Sequence, residues 1–434
     1  MRQRWTRPAV ITAAAVVALL GAGAVLGPVT REDNVVAAAV SPAHALDAFV
    51  QRTTRHLAST PGDWHAWAQL GMAHVQIARI TADPSHYAFA ETALNRSLTV
   101  SPDGNAAALT GLGALAAARH DFTGALRYAR RAVTADAWSA DAYGVVTDAS
   151  VELGRYRDAT DAVQRMLDLR PDTGSFGRAS YLFELNGDHR RARELMQRAL
   201  DMAADPTEAA FALQNLGDLA FGAGDLAAAG THYAEGLLRR PGQPSLLAGR
   251  ARVEAAQGDL RAAIGDLRTA TTTLPTVEHL VLLSDMSTAA GDKAGAARAD
   301  DLVRVSDKLA TSTTAATDID LVLFYADRGP AGEAVKRGRA LLAARPSVSV
   351  EMAYAWALHQ AGQDRAALGH ANRGLRLHTR HASAYYYRGM IRDALGDDAG
   401  ARTDLARALR INPHFSVRYA PSARAALTRL EGAR

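Results

Sequence analysis

The sequence predicts an all-α chain folded as a solenoid of helical hairpins, and three observations predict it. A small turn residue, usually followed by aspartate, recurs at His120, Gly154, Gly187, Gly224, Gly258, Gly291, Gly329, Gly362 and Gly396. An alanine stands five places after every one of them, from Ala125 and Ala159 through to Ala367 and Ala401. Seven places before the turn another small residue recurs, as Gly113, Thr147, Ser180, Gly217, Ala251, Ser284, Ala355 and Gly389, with Val322 the exception. Successive turns lie 34, 33, 37, 34, 33, 38, 33 and 34 residues apart. A fixed period of this length marks a repeat whose units bury their apolar faces against one another.

Each element follows from that frame. Apolar residues at helical spacing flank the turns, as Leu109, Leu112 and Ala116 before His120 and Ala125, Leu126, Ala129 and Val133 after it. Each unit is therefore a helix, a tight turn and a second helix. Small residues at the fixed places let neighbouring helices cross closely. Pro171, Pro241, Pro275, Pro346 and Pro413 follow their turns at one spacing, where a ring without an N–H ends the second helix.

This pattern resembles the tetratricopeptide repeat family, whose unit is a pair of antiparallel helices with small residues at these places. The resemblance covers roughly residues 63–415 and is best at Leu216-Gly217 with Gly224-Asp225 and Ala229, and at Arg388-Gly389 with Gly396-Asp397 and Ala401. It implies a right-handed superhelical solenoid of about ten hairpins. The first unit, from Trp64 and Trp67 through Leu70-Gly71 and Asp83-Pro84, is irregular, and several terminal prolines are replaced, by Ala137, Ala204 and Thr379. Residues 306–320 are rich in Ser and Thr and stretch one joint, a candidate flex point.

The ends divide the chain further. Residues 46–62 carry Leu46, Phe49, Val50 and Leu57 on one face and predict a leading cap, and residues 416–434, with Ala425, Leu427 and Leu430, a closing one. With both ends capped, no further domain is expected. Residues 1–29 join the arginines of MRQRWTR to an apolar run from Pro8 to Val29, the pattern of a signal peptide or an N-terminal transmembrane anchor. Ala22 and Ala24, or Ala43 and Ala45, suit cleavage, and the length of the run suits retention; both fates remain open. Residues 30–45 form a linker. Either fate places an exported, bacterial-type solenoid outside the cell membrane, held by a single pass or secreted.

Composition narrows the chemistry. At 434 residues, 48% hydrophobic and 22% charged, the chain is not largely disordered. Cysteine is absent, which excludes a disulfide framework, a thiol nucleophile and a cysteine zinc site. Half of the net charge of +4 falls in residues 1–45, where Arg2, Arg4, Arg7 and Arg31 face only Glu32 and Asp33, so nothing points to nucleic acid. No Gly-x-Ser-x-Gly elbow, His-Glu-x-x-His, Ser-x-x-Lys or phosphate loop occurs. His359, His370, His378 and His381 straddle a hairpin connection without a carboxylate at helical spacing to complete a metal site. The expectation is a protein that is not an enzyme and takes no cofactor or metal.

The family resemblance implies that the first helix of each hairpin lines a concave groove, reached six and three places before the small residue and one, four and five after it. Those places hold the acids Asp141, Asp148, Glu152, Glu184, Asp218, Glu278, Asp285, Asp327 and Asp393 against one base, Arg252. They also hold Tyr181, Phe211, Phe221, Met352, Trp356, Tyr386 and Met390. Arginines such as Arg127, Arg130, Arg190, Arg337 and Arg402 populate second helices instead. An acidic groove with apolar anchors would attract a cationic protein or peptide segment and repel a polyanion. A non-catalytic interaction scaffold on the outer side of the membrane is therefore the expected function. An envelope accessory protein that holds glycan or cell-wall polymer, or assists a neighbouring enzyme, is the alternative, motivated by Trp64, Trp67, Trp356 and Tyr385 to Tyr387.

Overall fold

A computed structural model of the chain describes residues 42–81, 83–312 and 318–432. The expected leader and most of the linker lie outside the described residues, as do residues 313–317 of the Ser/Thr-rich joint. The described residues form 22 helices and no strand, and none of these helices is long and apolar enough to cross a membrane.

Helix α1 (Pro42–Ser59) precedes ten hairpins. They are α2 (Trp64–Thr81) with α3 (His86–Val100), α4 (Ala106–Ala118) with α5 (Phe122–Ala135), α6 (Ala140–Glu152) with α7 (Tyr156–Leu169), α8 (Thr173–Leu185) with α9 (His189–Asp201), and α10 (Pro206–Gly222) with α11 (Leu226–Arg239). Then come α12 (Pro244–Ala256) with α13 (Leu260–Thr273), α14 (Val277–Ala289) with α15 (Lys293–Ser312), α16 (Ile319–Arg328) with α17 (Ala331–Ala344), α18 (Val348–Gln360) with α19 (Asp364–Gly374), and α20 (Ala382–Ala394) with α21 (Asp398–Ile411). Helix α22 (Tyr419–Gly432) packs on α21.

The repeat signature has a local cause at each place. Of the nine turn residues, all but Gly329 have positive φ, including His120 at 59°, the left-handed conformation that glycine adopts without a Cβ penalty. The aspartate that follows caps the second helix: Asp121, Asp188, Asp225, Asp259, Asp292 and Asp397 each accept from the backbone N–H three residues on. The alanines five places on are buried at the helix crossings. Gly217 lies beneath the Tyr233 ring, whose nearest carbon would be 2.5 Å from an added Cβ. At Gly329 the backbone is extended, with φ −122°, and Pro330 stands at the N-cap of α17 without a side-chain cap.

First helices touch the first helices of neighbouring hairpins, α2 with α4 and α16 with α18 for example; second helices have no comparable contact. The ribbon therefore curves with first helices inside. Consistent with that, α6 and α18 are buried almost all round, whereas α7 and α9 bury one stripe.

The curvature is tight enough for the ribbon to meet itself. Arg345 Nε donates to Glu152 Oε2 at 2.8 Å, Val348 N–H donates to the Tyr156 hydroxyl at 2.8 Å, and Asn412 Nδ2 donates to the Phe221 carbonyl at 2.7 Å. These partners are 193, 192 and 191 residues apart. A nearly constant separation means that one superhelical turn lies edge to edge against the next, with about five and a half repeats per turn. Three turn glycines make room for this seam. A Cβ on Gly154, Gly187 or Gly224 would stand 2.6, 2.5 or 3.2 Å from the carbonyl oxygen of Pro346, His378 or Ile411, while Gly258, Gly291, Gly362 and Gly396 have nothing within 4 Å.

Candidate interaction surface on the inner face

The groove positions expected from the repeat register converge on the inside of this closed wall, and most of their acids are already paired. Asp141 takes Arg170 Nη2 at 2.5 Å, and Arg170 also holds Asp172. Asp148, 3% exposed, receives Arg178 through Nε and Nη2 at 2.9 and 2.8 Å. Burial pushes the Asp148 carboxyl up, and Arg178 and then Arg79 oppose that shift. Glu152 is buried against Arg345. Asp218 accepts from Arg252 at 2.6 Å and from the Tyr233 hydroxyl at 2.8 Å. Asp285 is bound by Arg328, with Arg418 at 3.6 Å. Asp327 accepts from Trp356 Nε1 at 2.9 Å and from the Tyr419 hydroxyl, with Arg418 Nε at 3.4 Å. Asp393 takes Arg429 at 2.5 Å.

A groove holding nine acids and one base is thereby corrected. Arg178 lies two places before its small residue and Arg328 six after, both outside the register used for the groove. Arg345 reaches in from the C-cap of α17 across the seam, and Arg418 and Arg429 come from the C-terminal segment. Only Arg252 stands at a position the register covers. Asp148 and Glu152, one helical turn apart, are each tied to an arginine of their own and are buried, so neither is open to a partner or free to act as a carboxylate pair.

Four of the seven anchor candidates are corrected in the same way. Met352, Trp356, Tyr386 and Phe221 are between 3% and 7% exposed. Trp356 stacks on Tyr387 with centroids 4.5 Å apart, and Tyr386 stacks on Tyr419 at 5.1 Å. The Phe211 ring fills the space over Gly177, and Arg252 lies 5.3 Å over Phe221. Tyr385, Tyr386 and Tyr387 are core residues, which removes the stacking platform that motivated a glycan role; Trp67 is half-buried and its Nε1 donates to the Pro61 carbonyl at 3.0 Å. His359 pairs with Asp364 at 2.5 Å and His370 with Glu351 at 2.6 Å.

Four acids keep unmatched charge. Glu184, Glu278 and Asp320 have no ion pair or hydrogen bond among the described residues, and Asp318, 2% exposed, uses Oδ1 to cap Ile319 while its Oδ2 has no partner. Burial and then the Asp218 charge push the Glu184 carboxyl up to about 7. Burial pushes Asp318 up to about 6, and Asp320 well above the usual range, raised further by Asp318 and Glu278. Asp318 and Asp320 stand at the start of α16, at the end of the Ser/Thr-rich joint, four and two places before Val322 and so outside the register.

The architecture defines the class: a solenoid of ten antiparallel helical hairpins with first helices inside, left-handed turn glycines and alanine crossings. The described residues have the fold of a tetratricopeptide repeat solenoid. No family profile and no curated protein matches the chain. Solved structures that superpose on it include PilW, a type IV pilus biogenesis factor, at 18% identity over 46% of this chain and 92% of that one, with a TM-score of 0.39. A tetratricopeptide repeat protein of Thermus thermophilus is 21% identical over 44% of this chain and 98% of its own, with a TM-score of 0.38. The Cut9–Hcn1 heterotetramer of the APC/C is 15% identical, covering 90% and 97%, also at 0.38. At these scores the superpositions add nothing to what the repeat itself establishes.

Proposed function

We propose that the protein is a non-catalytic scaffold whose inner face receives a cationic segment of a protein partner, on the outer side of a membrane. The observation that carries this reading is the leftover charge at Glu184, Glu278, Asp318 and Asp320. Burial raises the Glu184, Asp318 and Asp320 carboxyls; a cation beside them opposes that shift, and a lysine or arginine side chain supplies that cation. The arginines already present do not meet the demand, because Arg178, Arg252 and Arg345 are each engaged by another acid.

The test is binding of an arginine–glycine peptide without aromatic residues. Affinity should fall with added salt and fall at least tenfold, on the order of 1.4 kcal/mol, in the triple variant Glu184→Gln, Glu278→Gln, Asp320→Asn. Equal affinity of the variant and the parent would remove the acidic inner face as the binding surface. The location rests on the pattern of residues 1–29, and protease treatment of intact cells tests it: digestion of the solenoid supports an outer location, protection refutes it.

A further inference from the structure

The C-terminal connection, residues 412–418, has seven residues between α21 and α22, whereas the connections at 170–172, 274–276 and 345–347 have three each. Its start is pinned by Asn412 to the Phe221 carbonyl, Val417 packs against the core cluster that holds Ala251, Ile264 and Met286, and Arg418 and Tyr419 reach Asp285 and Asp327. The receiving surface is built without this segment. Asp285, Asp300 and Asp327, with side chains 12%, 18% and 7% exposed, surround Arg328 alone. Three carboxylates about one guanidinium leave two negative charges in a buried place, and Arg418 offsets one of them. Beside them Trp356, Tyr386 and Tyr387 form a wall of rings; Tyr419 lies parallel to Tyr386 and edge-on to Tyr387 and Trp356, at 5.1, 5.5 and 5.7 Å.

We infer that Asp285, Asp327 and the Trp356–Tyr386–Tyr387 wall form a docking site for an arginine followed by an aromatic residue in an extended partner segment, and that Arg418–Tyr419 occupies this site in the free protein as an internal competitor. The inference rests on the inner face being a partner surface, but at a place distinct from Glu184, Glu278 and Asp320. The guanidinium supplies the charge and paired hydrogen bonds that buried carboxylates require, and the ring supplies apolar area with a polar tip for Asp327. Arg418 ends the connection beyond the last hairpin and Tyr419 begins α22, so both lie outside the repeats.

The probe is a labelled synthetic peptide with the sequence of residues 412–424, titrated into the full chain and followed by fluorescence anisotropy. The parent should bind it weakly, and the Arg418→Ala, Tyr419→Ala double variant at least tenfold more tightly because its site is vacated. Adding Asp285→Asn and Asp327→Asn should abolish that gain, and a peptide with alanine in place of the residue corresponding to Arg418 should fail to bind. Arg418→Lys, which keeps the charge and loses the fork, is the milder variant and should show a smaller gain should the double variant not fold. Absence of any gain in a variant with parental helicity overturns the inference. Glu184→Gln, Glu278→Gln and Asp320→Asn should leave this peptide's affinity unchanged, so failure here and failure of the arginine–glycine test are read separately.

Discussion

Arg345 and Glu152, 193 residues apart in sequence, form a buried ion pair that joins successive turns of the superhelix. Both side chains are at most 3% exposed, and Arg345 also lies over the Phe122 ring at 5.2 Å. Removing one member leaves the other charged and desolvated, which costs about 3–5 kcal/mol. Arg345→Ala should therefore lose most of that in chemical denaturation. The Arg345→Met, Glu152→Met double variant should recover a large part, because no charge is left uncompensated. A double variant no more stable than Arg345→Ala would show that the pair is not the source of the loss.

The seam also makes a prediction about two chemically identical substitutions. Gly154 and Gly258 both have positive φ at hairpin turns, 67° and 93°. Alanine at either carries the left-handed penalty of about 1–2 kcal/mol. Only at Gly154 does the new methyl meet backbone, the Pro346 carbonyl. Gly154→Ala should lower the melting temperature distinctly more than Gly258→Ala; equal losses would mean that the turns do not touch.

Glu184 predicts how stability follows pH. Its carboxyl is raised in the folded chain to about 7, from an ordinary 4.5, so the folded state holds the proton more tightly than the unfolded one. The resulting stability is fully present below about 4.5 and is lost as pH rises through about 7. Glu184→Gln should raise the melting temperature relative to the parent at pH 8 and bring little change at pH 4. A gain of the same size at both values would contradict the assignment. His120 works in the opposite sense: burial and then Arg345 lower it to about 4, so its contribution is present above about 6.5 and lost as pH falls through about 4.

Trp356 is predicted to matter for stability. It is 3% exposed, donates to Asp327 and stacks on Tyr387. Trp356→Ala should cost about 3–5 kcal/mol. Trp356→Phe keeps most of the ring packing and leaves Asp327 short of one donor, for about 1–3 kcal/mol. Both are read by urea denaturation, and near-parental stability of the alanine variant would contradict a core role.

Much of the fold is legible in the sequence because the repeat writes local constraints into fixed places. Gly224, Asp225 and Ala229 each answer a nearby need, for a left-handed turn, for a helix cap and for a close crossing. The inner-face acids are legible for the same reason, since Asp148, Asp218 and Asp285 follow their small residues by one place. What the register does not carry is who meets whom across the superhelix. Arg345 looks like an ordinary residue at the end of a second helix, and its partner lies more than five repeats away. Arg418 belongs to no repeat, so periodicity is silent about its reach to Asp285. Curvature is the sum of small rotations between hairpins, and no single position in the sequence states that sum.

The solenoid closes edge to edge on itself through the contacts of Glu152 with Arg345, Tyr156 with Val348, and Phe221 with Asn412. The chain contains no cysteine, so Arg155→Cys with Ala344→Cys gives two exposed labelling sites that flank the seam and no others. Pulsed electron spin resonance on the doubly spin-labelled chain measures their separation directly. A single narrow distribution at short distance is the predicted result, lengthened by Arg345→Ala. A broad distribution at long distance in the parent chain, unchanged by Arg345→Ala, would contradict the closed superhelix.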